Sequence, residues 1–178
     1  MDSFEFMSPT KFILEKDADK LCGREVKKFS DKVLFVHYGD KFTYESGLHK
    51  RITDALSDAG VTCYELPGVE PNPKVELVRK GIALCRENQI GCVLAVGGGS
   101  VIDTAKAVAI GVKYDGDVWD FYSKKAVPQT ALPIGTVMTL PATGSEGSNG
   151  SVLKNPETGE SADVMADCLR PSFTLMNP

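Results

Sequence analysis

The segment from residue 92 to residue 109 constrains the fold more than any other part of the sequence. Residues 92–96 (CVLAV) are almost wholly apolar, which is typical of a parallel strand that is covered on both faces. Three glycines and Ser100 follow, and apolar residues then recur at helical spacing as far as Ala109. The sequence therefore predicts a strand, a glycine turn and a helix in direct succession.

Strand and helix patterns alternate along the rest of the chain. Strands are predicted at residues 32–38, 61–66, 131–134, 136–140 and 173–176, and helices at about 45–59 and 75–87. This alternation predicts an α/β fold, namely a doubly wound, mainly parallel, Rossmann-like sheet that binds ligands beyond the carboxyl ends of its strands. We expect one domain over residues 1–178, with an edge hairpin within about residues 1–30.

Composition narrows the possible partners. The net charge is -4, so no overall positive field attracts nucleic acid or an anionic membrane. The five cysteines include no CxxC pair, which argues against a disulfide framework and a zinc ribbon and favours a reducing compartment. The sequence shows neither a secretory signal pattern nor an apolar run of about 18 residues. We therefore expect a cytoplasmic protein with small molecules or proteins as partners.

The glycine turn at residues 97–99 predicts a phosphate site. Glycines let the backbone approach a ligand closely, and the first N–H groups of the following helix point towards it. A tight turn that only packs closely is the alternative interpretation. The turn is not the GxGxxG fingerprint, and the absence of GxxxxGK[ST] argues against a phosphotransferase that uses ATP.

Other polar residues are weaker candidates. Residues 139–146 form a hydroxyl-rich, glycine-containing loop that suits a second wall for a phosphate or sugar, or an ordinary polar turn. Asp103 and Lys106 are predicted to share a helix face near the glycine turn, although such pairs are often solvated ion pairs. His37 and His49 have no obvious carboxylate partner at ligand spacing, and we interpret both as structural or surface residues.

Residues 93–107 resemble the GGGSxxDxAK core of the iron-containing, metal-dependent alcohol dehydrogenases, the family that includes butanol dehydrogenases. Further matches occur in the family's order along essentially the whole chain. They are residues 8–11 (SPTK), 33–39, 71–73 (PNP), 116–120 (GDVWD) and 139–146.

The resemblance implies that this is the amino-terminal domain, which binds NAD or NADP in that family. It assigns Gly97, Gly98, Gly99 and Ser100 to the pyrophosphate, Asp103 to the nicotinamide side, Thr139 and Thr143 to hydrogen bonds with the coenzyme, and Gly39 and Asp40 to the adenosine ribose. A carboxylate near that ribose accepts from its hydroxyls and repels a 2′-phosphate, which favours NAD. The neighbouring Lys41 can instead attract a phosphate.

The resemblance also implies what this chain lacks. Ser161 occupies a position where many relatives have a lysine near the nicotinamide ribose. The family's Fe²⁺ or Zn²⁺ is held by an aspartate and three histidines of a helical carboxy-terminal domain, so we expect the metal ligands beyond Pro178 and no catalytic residue in this chain. The family interconverts a primary alcohol and an aldehyde by hydride transfer, with the metal acting on the oxygen. We expect the 178-residue chain to be inactive alone.

Two other functions remain open from the sequence. Glycerol dehydrogenase and dehydroquinate synthase share the architecture and use a similar glycine turn. A non-catalytic nucleotide-binding module is the second alternative. Relatives commonly form dimers through this domain, so a homodimer is also expected.

Overall fold

A six-stranded parallel sheet forms the centre of the protein, as shown by a computed structural model that describes residues 7–178. Its strands are β1 (Lys11–Leu14), β2 (Lys32–Val36), β3 (Thr62–Leu66), β4 (Cys92–Gly97), β5 (Ile134–Met138) and β8 (Phe173–Met176), in the order β1-β8-β5-β4-β2-β3. Every neighbouring pair is parallel. The predicted Rossmann-like α/β sheet is therefore confirmed.

Helices cover both faces of this sheet. They are α1 (Cys22–Val26), α2 (Lys41–Glu45), α3 (Leu48–Asp58), α4 (Val75–Asn88), α5 (Gly99–Val112) and α6 (Trp119–Tyr122), with 3-10 turns at Ala18–Leu21 and Asp167–Leu169. Apolar residues of α4 and α5 form the core on one face, and those of α1 and α3 form it on the other. Within residues 7–178, no helix is both long and apolar enough to cross a membrane.

The burial of β4 and α5 explains why their pattern is so clear in the sequence. All six residues of β4 are buried, because the strand lies inside the sheet between β2 and β5 with helices on both faces. Ten of the fourteen residues of α5 are also buried. A strand and a helix in such surroundings need apolar side chains almost throughout, which is what the sequence supplies.

The predicted helix at 45–59 is two helices instead. Gly47 has a φ of 74°, a left-handed conformation that interrupts the helical path between α2 and α3. The first helix begins earlier than predicted, because the Asp40 carboxylate accepts a hydrogen bond from the Thr43 amide and caps it.

A separate antiparallel hairpin was not predicted. It consists of β6 (Gly150–Asn155) and β7 (Glu160–Met165), and it packs against α5 and α6. At one edge of the main sheet, β1 pairs in parallel with β8. Residues 7–30 contain one strand, β1, followed by a 3-10 turn and α1, so they hold no hairpin of their own. Residues 1–6 lie outside the described part of the chain, and the predicted edge hairpin stays a prediction where it involves them.

The strand order fixes where a ligand can bind. The chain passes from β2 to β3 on one side and then returns to β4 on the other side of β2. Connections leave β2 and β4 in opposite directions, which opens a crevice at their carboxyl ends, the usual ligand position in such sheets.

Candidate functional site

A cavity of about 610 Å³ opens at this crevice. Tyr38, which follows β2, and Gly98, Gly99 and Ser100, which follow β4, form one wall. Loop 139–149 and the β6–β7 hairpin form the other wall. The glycine turn and part of segment 139–146, which the sequence left open as a second wall or an ordinary polar turn, thus line the same cavity.

The glycine turn keeps the backbone bare where α5 begins. Within residues 7–178 no side chain caps the amino end of this helix, so its first N–H groups are available to a ligand. A Cβ atom on Gly99 would lie 2.8 Å from the Thr143 side chain, and one on Gly97 would lie 2.6 Å from Val101. Close packing therefore requires glycine at both positions. This geometry agrees with a turn that only packs closely as well as with a turn that binds phosphate.

Gly98 distinguishes the two interpretations. Its φ of -94° and ψ of -164° are open to any residue, and a Cβ there would meet only the Tyr38 hydroxyl, at 3.3 Å. Among the described residues, a Cβ at Gly98 would therefore require only a small shift of one flexible side chain, while the glycine itself lines the cavity. This glycine is explained better by a ligand than by the fold.

Asp103 lies one turn further along α5 and also lines the cavity. Its carboxylate accepts hydrogen bonds from the Ser145 hydroxyl (2.7 Å) and the Val152 amide (3.2 Å). Burial raises the pKa of Asp103, and these two hydrogen bonds oppose the increase. The side chain thus joins the helix to both parts of the opposite wall.

Lys106 is fully buried, unlike a solvated lysine. Its Nζ donates to the carbonyl oxygens of Ser148 (2.9 Å) and Gly150 (2.8 Å) and to the hydroxyls of Ser145 and Ser148. Burial lowers the pKa of Lys106 to about 8, although the nearby Asp103 carboxylate opposes this. The interpretation of Asp103 and Lys106 as a solvated ion pair is therefore wrong: Lys106 anchors the loop.

Thr139 and Thr143 lie in different places. Thr143 is exposed in the large cavity, whereas Thr139 lines a smaller cavity of about 190 Å³ beside Phe42, Arg51 and Asn177. The amide of Thr139 donates to the carbonyl of Gly97 at 3.3 Å, so Thr139 directly adjoins the end of β4.

Gly39 and Asp40 form the turn after β2 and do not line the large cavity. Gly39 has a φ of 71°, and the Asp40 Oδ1 atom accepts from the amide (2.9 Å) and hydroxyl (2.7 Å) of Thr43. These bonds hold the pKa of Asp40 below its ordinary value, so the carboxylate is ionised at neutral pH. The helix that it caps, α2, contributes Phe42 to the smaller cavity.

Ser161 lies on β7 opposite Lys154 and is exposed. It is two residues from Asp163, which lines the large cavity, so the two side chains share a face of the strand. Its place on that face is compatible with the predicted position near the nicotinamide ribose, which stays a prediction.

Some contributors were missed by the sequence reasoning. Tyr38 covers the glycine turn, and its position at the end of the predicted strand 32–38 was the available signal. The expectation that His37 and His49 lack a carboxylate partner is wrong, because Glu65 lies within 3.3 Å of both imidazole rings. Glu65 is distant in sequence from His37, and only the pairing of β2 with β3 brings them together.

Known proteins resemble this chain along its whole length. A family model described as iron-containing alcohol dehydrogenase matches residues 9–178. The chain is 47% identical over its whole length to a probable NADH-dependent butanol dehydrogenase 1 of Bacillus subtilis, of which it covers 46%. It is 32% identical to the NADPH-dependent aldehyde reductase YqhD of Escherichia coli, again covering 46% of that protein.

The fold has a close counterpart among solved structures. The crystal structure of NADH-dependent butanol dehydrogenase A from Thermotoga maritima superimposes with a TM-score of 0.95 at 36% identity. All of this chain and 45% of that one are covered. The chain thus spans about half the length of the relatives that it matches.

Proposed function

Because the chain belongs to the iron-containing alcohol dehydrogenase family, we propose that it forms the coenzyme-binding part of an NAD(P)-dependent enzyme that interconverts a primary alcohol and an aldehyde. The observation that carries this proposal is Gly98, a glycine that the backbone and the packing do not require but that a ligand at the start of α5 does. The butanol dehydrogenase names of two relatives support the substrate class.

The proposed coenzyme lies across the crevice between β2 and β4. The N–H groups of Gly99 and Ser100 bind its pyrophosphate, since two negatively charged phosphates suit the positive end of a helix. The large cavity takes the nicotinamide half beside Asp103 and Thr143, and the smaller cavity beside Thr139 takes the adenosine half. When bound, the nicotinamide ring accepts or donates the hydride.

The residues of this chain orient the coenzyme and hold the wall around it. Tyr38 shields the glycine turn on one side, and Lys106 fixes loop 139–149 on the other through the carbonyls of Ser148 and Gly150. Asp103 keeps its charge partly desolvated near the nicotinamide side, where it can accept a hydrogen bond from the coenzyme.

The family's metal does not fit the residues present. The resemblance requires an aspartate and three histidines, and this sequence contains two histidines. We therefore assign no step of the reaction to a metal held by this chain, and we propose that the chain alone does not complete catalysis. Alcohol oxidation measured with NAD⁺ and NADP⁺, with Fe²⁺ or Zn²⁺ added, tests this, and sustained turnover would contradict it.

Gly98→Ala tests the coenzyme site. We expect the variant to fold normally and to bind NAD⁺ and NADP⁺ about 10- to 100-fold more weakly, since it displaces a charge-assisted hydrogen bond to phosphate that is typically worth about 1.5–3 kcal/mol. Isothermal titration calorimetry measures the affinity, and circular dichroism with urea unfolding checks the fold.

A double variant provides the control. Tyr38→Phe removes the hydroxyl that lies 3.3 Å from the new Cβ position. If contact with Tyr38 caused the loss, Gly98→Ala combined with Tyr38→Phe would restore binding, whereas a clash with the coenzyme leaves the double variant weak. If Gly98→Ala and the unchanged chain bind NAD⁺ and NADP⁺ with equal affinity, the glycine turn serves packing and does not bind the coenzyme.

A further inference from the structure

Three side chains with metal-binding atoms meet beside β2, and neither cavity described above includes them. His37 directly follows β2, His49 is the second residue of α3, and Glu65 is on β3. One ligand atom from each lies within 4.8 Å of those of the other two. We propose that His37, His49 and Glu65 bind one Zn²⁺ ion, with water in the fourth position.

The distances suit this ion. Zinc bonds of about 2.0–2.1 Å at tetrahedral angles place neighbouring ligand atoms about 3.3–3.4 Å apart. The separation from Glu65 Oε2 is 3.3 Å for His37 Nε2 and 3.1 Å for His49 Nε2. Two edges of the coordination tetrahedron are therefore nearly formed. The third edge joins the Nε2 atoms of His37 and His49. Because His37 is fully buried and His49 is partly exposed, His49 is the ring that has room to move and shorten this distance.

The surroundings also favour a cation. Imidazole and carboxylate are both ordinary zinc ligands. Burial lowers the pKa of His37, and the nearby carboxylates of Glu65 and Asp40 oppose this decrease, so two negative charges lie close to the ring. Tyr44 and Phe35 pack their rings against His37, which fixes its position at the carboxyl end of the strand.

Zinc binding should alter the Gly39–Asp40 turn. The Gly39 amide donates to His37 Nδ1 at 3.1 Å, so the neutral ring carries its proton on Nε2 and donates it to Glu65. Zinc takes the Nε2 lone pair, and the ring proton must move to Nδ1, where it faces the Gly39 N–H. Binding therefore removes the acceptor of Gly39. The coupling to the coenzyme rests on the proposed function, in which the Gly39–Asp40 turn lies near the adenosine ribose. Zinc should therefore weaken coenzyme binding, and the coenzyme should weaken zinc binding by the same factor.

The first experiment titrates the 178-residue chain with Zn²⁺ in the absence of coenzyme, by calorimetry and equilibrium dialysis. We expect one ion per chain. His49→Ala should weaken binding at least about tenfold, because even outer-shell partners of metal ligands typically contribute that much. Glu65→Gln, a second partly exposed position, should weaken it as well. Undiminished binding in His49→Ala would overturn the proposal, as would the absence of stoichiometric binding to the unchanged chain.

Cys63 supplies the matched control. It precedes Glu65 by two residues on β3, but its sulfur is not part of the group of ligand atoms that lie within 4.8 Å of one another. Cys63→Ser should therefore bind zinc normally, and Co²⁺ used as a spectroscopic probe should show no thiolate charge-transfer absorption. Loss of binding in Cys63→Ser would assign the ion to a thiol site instead.

The coupling is measured separately. The affinity for NAD⁺ should fall severalfold in saturating Zn²⁺, and His49→Ala should abolish this effect. Since the zinc titration contains no coenzyme, failure of the metal site and failure of the proposed coenzyme site give different results. Zinc binding without any effect on NAD⁺ would overturn the coupling and leave the metal site standing.

Discussion

Among single residues, Asp40 links the local fold to the choice of coenzyme. Its carboxylate caps α2 through Thr43, and these hydrogen bonds also keep it ionised. If the adenosine ribose lies near this turn, as the family resemblance implies, a fixed negative charge opposes the 2′-phosphate of NADP. The two relatives compared above, one named for NADH and one for NADPH, show that both preferences occur in the family.

Asp40→Ser should shift the preference towards NADP⁺. Serine retains the capping function, so the start of α2 should persist while the charge is removed. Unit charges about 4 Å apart in water interact by about 1 kcal/mol, so the ratio of the NADP⁺ to the NAD⁺ affinity should rise about fivefold. Fluorescence titration with both coenzymes measures the ratio. Thr43→Ala, which weakens the cap without removing the charge, is the control and should leave the ratio unchanged.

Between elements, Lys106 connects α5 to the loop that precedes the β6–β7 hairpin. Its four hydrogen bonds end on two residues of that loop, Ser145 and Ser148, and on Gly150 at the start of β6. The buried ammonium therefore provides hydrogen bonds that the polar loop does not make with its own backbone. Together with the Asp103 carboxylate, Lys106 holds the second wall of the large cavity against α5.

Lys106→Met should destabilise the protein by about 2 kcal/mol, because two buried carbonyl groups lose their donor while the desolvation of the ammonium is relieved. Urea unfolding measures this change. Lys113→Met, at the exposed carboxyl end of the same helix, should change the stability by no more than about 0.5 kcal/mol. Equal effects of both substitutions would show that Lys106 does not anchor the loop.

The elements also show what local sequence can predict. The succession β4, glycine turn and α5 was predictable because both elements are buried and their composition reflects this directly. The hairpin was missed because two of the three buried positions of β6 carry polar residues, Ser151 and Asn155, and β7 has one buried residue, Val164. In the same way, the break at Gly47 depends on one left-handed residue, and the contact of Glu65 with His37 depends on strand pairing.

For the whole molecule, the buried thiols determine how stability responds to alkali. Burial raises the pKa of Cys22, Cys63, Cys85 and Cys92 from 9.0 to about 12. Above pH 9 the unfolded chain therefore loses thiol protons that the folded chain keeps, and the free energy of unfolding falls as the pH rises. Lys106 acts in the opposite direction, since its lowered pKa makes the folded chain lose a proton first.

The four buried thiols together should contribute more to the pH dependence of stability than the Lys106 ammonium does. We therefore expect the free energy of unfolding to decrease between pH 8.5 and pH 10.5. Urea unfolding under reducing conditions at several pH values measures the slope. Cys92→Ala, at a fully buried position, should make the slope less steep. A stability that rises with pH throughout this range would contradict the assignment.

The position of β8 has a consequence for synthesis on the ribosome. This strand lies between β1 and β5, and the amide of Asp17 bonds to the Asn177 side chain across 160 positions of sequence. During translation β1 therefore has no sheet neighbour until residues 173–176 have left the exit tunnel. Until then β1 and the edge of β5 that faces β8 lack their partner, and exposed strand edges of this kind are where chaperones act.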